Sequence, residues 1–278
     1  MTGTGSQGTA GAELWPDGVD CAVAFTFDFD AEEVWLADDA GNADRPGVLS
    51  QGRYGAKVGL PLVLDILSRH IVKATFFVPG RVAERYPERV SEIVAAGHEL
   101  AHHGYTHVSP TLLGAQEEEA ELVKGKAILE RFAPVAGYRS PSWEFSPRTL
   151  ELLERHGFGY SSNFMDDIRP YRHHRSSIIE LPVHWILDDA PHFWFAADTW
   201  EKKIATVGEV EELWRAEFEG IRRLGGCCIF TMHPQLIGRP GRLGLLESMV
   251  RMARETEGVW LASAGELAAW FASAAGET

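Results

Sequence analysis

The chain has 278 residues, 45% hydrophobic and 24% charged, enough for a sizeable core in one large α/β domain or two small ones. Its 26 basic and 40 acidic residues give a net charge of −14, so neither nucleic acid nor an anionic membrane surface is expected as a partner. The three cysteines, Cys21, Cys227 and Cys228, lie in apolar strand-like runs and form no disulfide framework, which fits a reducing, cytoplasmic home.

Residues 1–18 are rich in Gly, Thr and Ser and lack the basic flank and apolar stretch of a signal peptide or membrane helix. They read as a flexible lead-in to a single domain over residues 19–278. The apolar run 21–25 predicts a buried first strand, followed at its end by Thr26-Phe27-Asp28-Phe29-Asp30. Positions i and i+2 of a strand share a side, so Asp28 and Asp30 face one cavity. Two carboxylates buried together are costly unless they share a cation or a proton. Alone, Asp-x-Asp more often marks solvated loop acids.

A long polar loop is expected over 41–55, then a helix over 57–70 and a second strand over 73–78. A helix over 87–96 is framed by Pro87 and Gly97. The third strand, 99–101, runs into His102-His103-Gly104-Tyr105-Thr106-His107. A helix over 117–132 precedes a fourth strand, 135–138, which leads into Arg139-Ser140-Pro141-Ser142-Trp143. Ser146-Pro147 opens the next helix and Gly157 closes it. Strands are expected at 160–164 and 178–183, a helix at 210–224, and a seventh strand at 227–231 ending in Met232-His233-Pro234. Ser263 and Glu266 have capping-box spacing for a last helix. Alternating strands and helices imply parallel pairing by right-handed crossovers, and seven such units imply a barrel. Each polar cluster falls at the C-terminal end of a strand, where barrel chemistry collects.

His103 and His107 share a side if their segment turns helically, and with Asp30 they complete a two-histidine, one-carboxylate zinc set. His102 is the alternative ligand, although neighbours rarely share a face. Arg139 would hold Asp28 ionised; otherwise it is a surface arginine packed on Trp143. His233 is a candidate general acid.

Together these motifs resemble the polysaccharide deacetylase family, the NodB-homology or carbohydrate esterase family 4 fold, over nearly the whole chain. Thr26-Phe27-Asp28-Phe29-Asp30, His103-Gly-Tyr-Thr-His107, Arg139-Ser-Pro141 and Thr231-Met-His233-Pro234 stand in the family's order. The resemblance implies a distorted (β/α)7–8 barrel and hydrolysis of an amide C–N bond. In it Asp28 is the base, Arg139 its tether, and Asp30, His103 and His107 hold a divalent metal, zinc being the first choice. His233 protonates the leaving nitrogen, and a backbone N–H between residues 138 and 143 helps the metal stabilise the oxyanion. Two features depart from the commoner pattern. The first motif reads Asp-Phe-Asp-Ala-Glu rather than adjacent aspartates. With Arg53-Tyr54-Gly55 and Asp166-Asp167 before Arg169-Pro170-Tyr171, it resembles the branch of intracellular peptidoglycan-deacetylase-like, allantoinase-like and cyclic-imide-hydrolysing proteins. The family's Asp-x-x-x-Asp-Trp motif is replaced by a stretch containing His184, Trp185, Asp188 and Asp189, where Asp188 is taken to orient His233. Tyr54, Trp143 and Trp185 are the expected pocket residues, with a core role for Trp185 as the alternative. The rings at 192–195 suggest a lid over a small, monomer-sized substrate. The expected substrate is an N-acyl amino sugar or another small N-acyl compound; the rivals are a cyclic-amide hydrolase and a non-catalytic binding domain. A homo-oligomer is allowed but not indicated.

Overall fold

The eight residues of β1 (Cys21–Asp28) are all buried, as an inner strand of a parallel sheet covered on both faces must be. In the computed structural model, which describes residues 14–195 and 203–274, this strand belongs to one curled nine-stranded sheet. The others are β2 (Thr75–Val78), β3 (Glu99–His102), β4 (Gly137–Tyr138), β5 (Tyr160–Ser161), β6 (Tyr171–Arg172), β7 (Ile179–Glu180), β8 (Cys227–Met232) and β9 (Val259–Leu261). The order is β6-β7-β5-β4-β3-β2-β1-β8, parallel throughout except for the antiparallel β6–β7 pair. One edge of β1 is shared: residues 21–23 pair with β9 and residues 26–28 with β2. Beyond β8 a single bridge, Asp188 to Thr231, takes the place of a further ladder, so the sheet curls into a distorted barrel.

Alternation along the strands explains why the polar groups converge. Cys21, Val23, Phe25, Phe27 and Phe29 of β1 and its continuation pack outward with Leu100, Cys228, Phe230 and Met232. Phe25 stacks on Phe230 at 5.1 Å and Phe27 on Phe76 at 5.0 Å. Burying each such ring is worth about 1.5–3 kcal/mol. The opposite face carries Ala22 and Ala24 with Phe77, Ala101, Tyr160, Cys227 and Ile229 in a second, inner cluster. Continuing that period of two from Ala24 gives Thr26 and Asp28; from Ala101, His103; from Cys227 and Ile229, Thr231 and His233. The inner face is thus apolar at one end and polar at the other. At the apolar end, Ala264 N–H donates to Thr75 and Gly265 N–H to Glu99, so helix Ala264–Ala274 lies across the starts of β2 and β3.

Some expectations change. Trp15 is buried and donates to the Gly225 carbonyl at 3.1 Å, so the chain packs from Leu14 onward rather than from residue 19. The loop expected over 41–55 contains helix Pro46–Tyr54, which a π-turn (Gly55–Gly59) joins to helix Leu60–Arg69. Gly52 and Gly59 are packing positions rather than loop signals. A Cβ on Gly52 would stand 2.3 Å from the Ala31 carbonyl oxygen, and one on Gly59 2.0 Å from that of Pro234. The helix therefore lies directly on the loops leaving β1 and β8. β6, β9 and helix Leu243–Glu255 were not anticipated.

Candidate active site

Asp28 and Asp30 are buried side by side at the exit of β1, but their surroundings differ. Arg139, one residue beyond β4 and fully buried, donates from Nη1 to Asp28 Oδ1 at 2.7 Å and to Thr26 Oγ1 at 2.9 Å. Its Nε and Nη2 donate to the carbonyl and hydroxyl of Ser162 at 3.2 and 3.0 Å, and the guanidinium lies 4.1 Å over the Phe77 ring. Burial alone would raise Asp28; Arg139, helped by His103 and His233, outweighs it and holds the carboxyl below its usual range. Packing on Trp143, the alternative for Arg139, is the weaker contact at 6.0 Å. Burial pushes Asp30 upward against the pull of His103 and His233. Its Oδ1 has no hydrogen-bond partner, and its Oδ2 receives only the Gln235 amide at 3.4 Å.

The His-x-x-x-His segment is not helical. It bends at Gly104 (φ 75°) and again at His107 itself (φ 60°), and this bend brings the two rings within 4.9 Å. His103 Nδ1 donates to the Arg139 carbonyl at 2.7 Å, leaving Nε2 with a lone pair 3.5 Å from Asp30 Oδ1. His107 Nε2 lies 3.7 Å from the same oxygen. Burial lowers both imidazoles, His107 to about 4, so both are neutral donors. His102 points away, as the alternation requires: its Nε2 meets the Leu122 carbonyl at 3.1 Å and its Nδ1 accepts from Gly104 N–H at 3.0 Å. Of the six described non-glycine residues with positive φ, four flank the site: Ala31, His107, Ser142 and Trp143. Strain of this kind persists where surrounding structure enforces it, often at functional sites.

His233 follows β8. Its Nδ1 meets Asp189 Oδ1 at 2.6 Å and its N–H donates to Asp189 Oδ2 at 3.1 Å, so Asp189, not Asp188, orients it. Asp188 Oδ1 stands 3.8 Å away and accepts the Ala190 N–H, because the parallel bridge to Thr231 turns Asp188 aside. Burial opposes protonation of His233, yet the Asp189 carboxylate, with Asp188 and Asp30 behind it, holds it well above the usual imidazole range. Its Nε2 points back toward Asp30 Oδ2, 3.7 Å away.

The sequence profile of the polysaccharide deacetylases matches residues 50–161. The peptidoglycan deacetylase of Helicobacter pylori is 30% identical over 277 residues, covering 88% of this chain and 94% of that protein. This chain belongs to the polysaccharide deacetylase family. A Mycobacterium smegmatis structure assigned to the same family is 42% identical, with a TM-score of 0.89 over 93% of this chain and 92% of that one. The PuuE allantoinase structure shares the fold, with a TM-score of 0.81 at 20% identity over 97% of this chain and 98% of that one. As a member of the deacetylase family the chain is a hydrolase of carbon–nitrogen bonds other than peptide bonds.

Polysaccharide deacetylases are divalent-metal enzymes, and the residues here fit such an ion. Donor atoms of Asp30, His103 and His107 all lie within 4.8 Å of one another. Ligands at about 2.0–2.1 Å on a tetrahedral ion stand about 3.3–3.5 Å apart, close to the spacing here. The unpartnered Asp30 Oδ1 and the two neutral rings complete the match. A second group, Asp188, Asp189 and His233, is already committed to internal hydrogen bonds.

Of the expected pocket residues, Tyr54 lines a cavity at the mouth of this deacetylase site and donates to the Gly238 carbonyl at 2.8 Å. Trp143 and Trp185 stack on each other at 4.2 Å. A 3-10 turn (Trp185–Leu187) sends Leu187 into the core and leaves Trp185 42% exposed. Of the rings at 192–195, Phe193 is buried, while Trp194 stacks on Trp35 at 4.8 Å. Trp35, Trp194 and Phe195 wall a cavity of about 710 Å³ beside His107. In the segment expected to supply an oxyanion donor, the N–H groups of Arg139, Ser140 and Trp143 are bonded to His102 O, Asn163 Oδ1 and Ser140 O. No described helix is long and apolar enough to cross a membrane.

Proposed function

We propose that the chain removes the N-acetyl group from an amino sugar of the kind found in peptidoglycan, with zinc held by Asp30, His103 and His107. When bound, the ion supplies Lewis acidity, polarising the scissile carbonyl and lowering the pKa of water toward about 7. Asp28 takes the proton of the attacking water. Arg139 keeps that carboxylate ionised and aimed, so the base is ready at neutral pH. His233, charged through Asp189, gives a proton from Nε2 to the departing nitrogen. The observation that carries this reading is a base fixed by Arg139 against His103 and an acid fixed by Asp189 against Asp30, a buried carboxylate with an unmet oxygen.

The Trp35–Trp194 stack over the mouth supports a small substrate, one or two sugar units rather than a long polymer threaded through an open groove. A cytoplasmic location is supported by Cys21, Cys227 and Cys228, all buried as free thiols. The test is acetate release from N-acetylglucosamine and its short oligomers by zinc-loaded and chelated protein, run beside allantoin and cyclic imides. Zinc-dependent acetate release is expected. Ring opening of a cyclic amide without acetate release, or full activity in metal-free protein, would overturn the reading.

A further inference from the structure

Beneath the Trp35–Trp194 stack a second cavity, of about 290 Å³, runs over Tyr54 and Gln235 to Arg239 and Arg242. Among the described residues, these arginines are the only charged ones that line it. In a chain of net charge −14 many arginines find a carboxylate, as Arg69, Arg148 and Arg215 do. Among the described residues, Arg239 and Arg242 have none within 4.0 Å. Each guanidinium instead lies 4.2 Å over a ring, Arg239 on Tyr54 and Arg242 on Phe193. Stacking of this kind fixes the plane and leaves the N–H edge free for a planar or tetrahedral oxyanion. Only one of these edges is spent internally, Arg242 Nη1 on the Leu236 carbonyl at 3.1 Å. Arg242 is lowered from the usual guanidinium range by partial burial, and Arg239 adds to that against the pull of Asp189. An anion between the two would relieve the repulsion. Gln235 joins this cavity to the catalytic group: it is buried, its amide reaches Asp30 Oδ2 at 3.4 Å, and its Oε1 has no partner.

We infer that this cavity is an oxyanion subsite, so that the preferred substrate is an N-acetyl amino sugar bearing a carboxylate or phosphate that Arg239 and Arg242 grip. The inference rests on the deacetylase reading of the same site, with the acetamido group at Asp28 and His233. The test compares N-acetylglucosamine, N-acetylmuramic acid and N-acetylglucosamine 6-phosphate on the zinc-loaded full chain, by kcat/KM and by calorimetric binding. A lost charge-assisted contact is worth about tenfold or more, so one acidic sugar should exceed the neutral one by at least that factor. The double variant R239Q/R242Q should lose most of this advantage, falling far more on the acidic sugar than on the neutral one. Preference for the muramic acid derivative identifies a carboxylate, and preference for the phosphate ester a phosphoryl group. Equal binding and turnover of acidic and neutral sugars, or an advantage that survives in the double variant, overturns the subsite while leaving deacetylation intact. Tighter, arginine-dependent binding of an acidic sugar that is never deacetylated upholds the subsite and overturns the deacetylase reading.

Discussion

Two buried carboxylate–imidazole clusters hang on the same sheet and have opposite hydrogen-bond accounts. Glu180 of β7 accepts the N–H groups of Asn163 and Phe164 at 2.5 and 2.9 Å, the Ser161 hydroxyl, and His173 Nε2 at 2.9 Å. Its capacity is filled by the protein. Asp30 of the β1 exit is equally buried, yet one oxygen has no partner and the other a single long contact. Leaving a buried carboxylate unmet costs several kcal/mol, so a structure that does this needs a cation or a proton there. Residue types do not separate the clusters; lone pairs do. The closed cluster also supports the open one. Glu180 fixes the main chain of Asn163, whose Oδ1 accepts Ser140 N–H at 2.7 Å beside Arg139, and neighbouring Ser162 grips Arg139 itself.

The largest effect is expected at the open cluster. His103→Ala should abolish metal content, measured by elemental analysis, and turnover with it. A chelator should do the same to the wild type and add nothing to the variant. Stoichiometric metal in His103→Ala would mean that the ion sits elsewhere. Asp28→Asn should lower kcat by about 10²–10⁴ or more while metal content stays at the wild-type level, since a base is lost and a ligand is kept. Metal loss in that variant would move Asp28, whose Oδ2 is 3.8 Å from His103 Nε2, into the ligand set. At the closed cluster the pattern should reverse. Glu180→Gln should retain metal but lower stability by about 1–3 kcal/mol, read by denaturant unfolding, because charge-assisted hydrogen bonds to buried donors weaken. Metal loss without a stability change would erase the distinction between the clusters.

The open cluster was legible in the sequence because period-two alternation carries an apolar strand into its own polar end, and Asp28, Asp30, His103, Arg139 and His233 all obey it. The barrel itself followed from a different alternation, that of strands with helices. Asp189 was missed because local spacing cannot tell which of two adjacent aspartates faces His233; the bridge of Asp188 to Thr231, between residues 43 apart, decides it. The bend at His107 was missed because a four-residue spacing suits either a helical turn or a left-handed kink. Helix Pro46–Tyr54 was hidden because glycines that permit close packing look like glycines that make turns. His173 carries no core signal in the sequence; its pairing with Glu180, seven residues on, is what makes it a core residue.

The smallest expected effect tests whether an unmet buried atom by itself marks a metal site. His98 is 7% exposed and its Nε2 has no partner, like Asp30 Oδ1, but its surroundings are different. Its Nδ1 accepts the Ala74 N–H at 3.2 Å, and its ring lies 5.3 Å from Phe76; among the described residues it belongs to no cluster of metal-ligating groups. Burial, with Lys73 adding, lowers its pKa from 6.5 to about 4. Between those values the unfolded imidazole binds a proton that the folded one refuses, so stability rises with pH across the window. The contribution is complete above pH 6.5 and lost as pH falls toward 4. His98→Asn keeps an acceptor for Ala74 N–H and removes the titration. From pH 6.5 to 4.5 the wild type should therefore lose about 2 kcal/mol more than the variant in denaturant unfolding. Other groups, such as Asp188, which burial raises to about 7, titrate alike in both proteins and cancel in the difference. Parallel pH profiles would mean that His98 binds a proton in the fold as readily as in the unfolded chain. A difference of the expected sign, with metal content unchanged, would show that an unmet atom needs convergent donors to become a metal site.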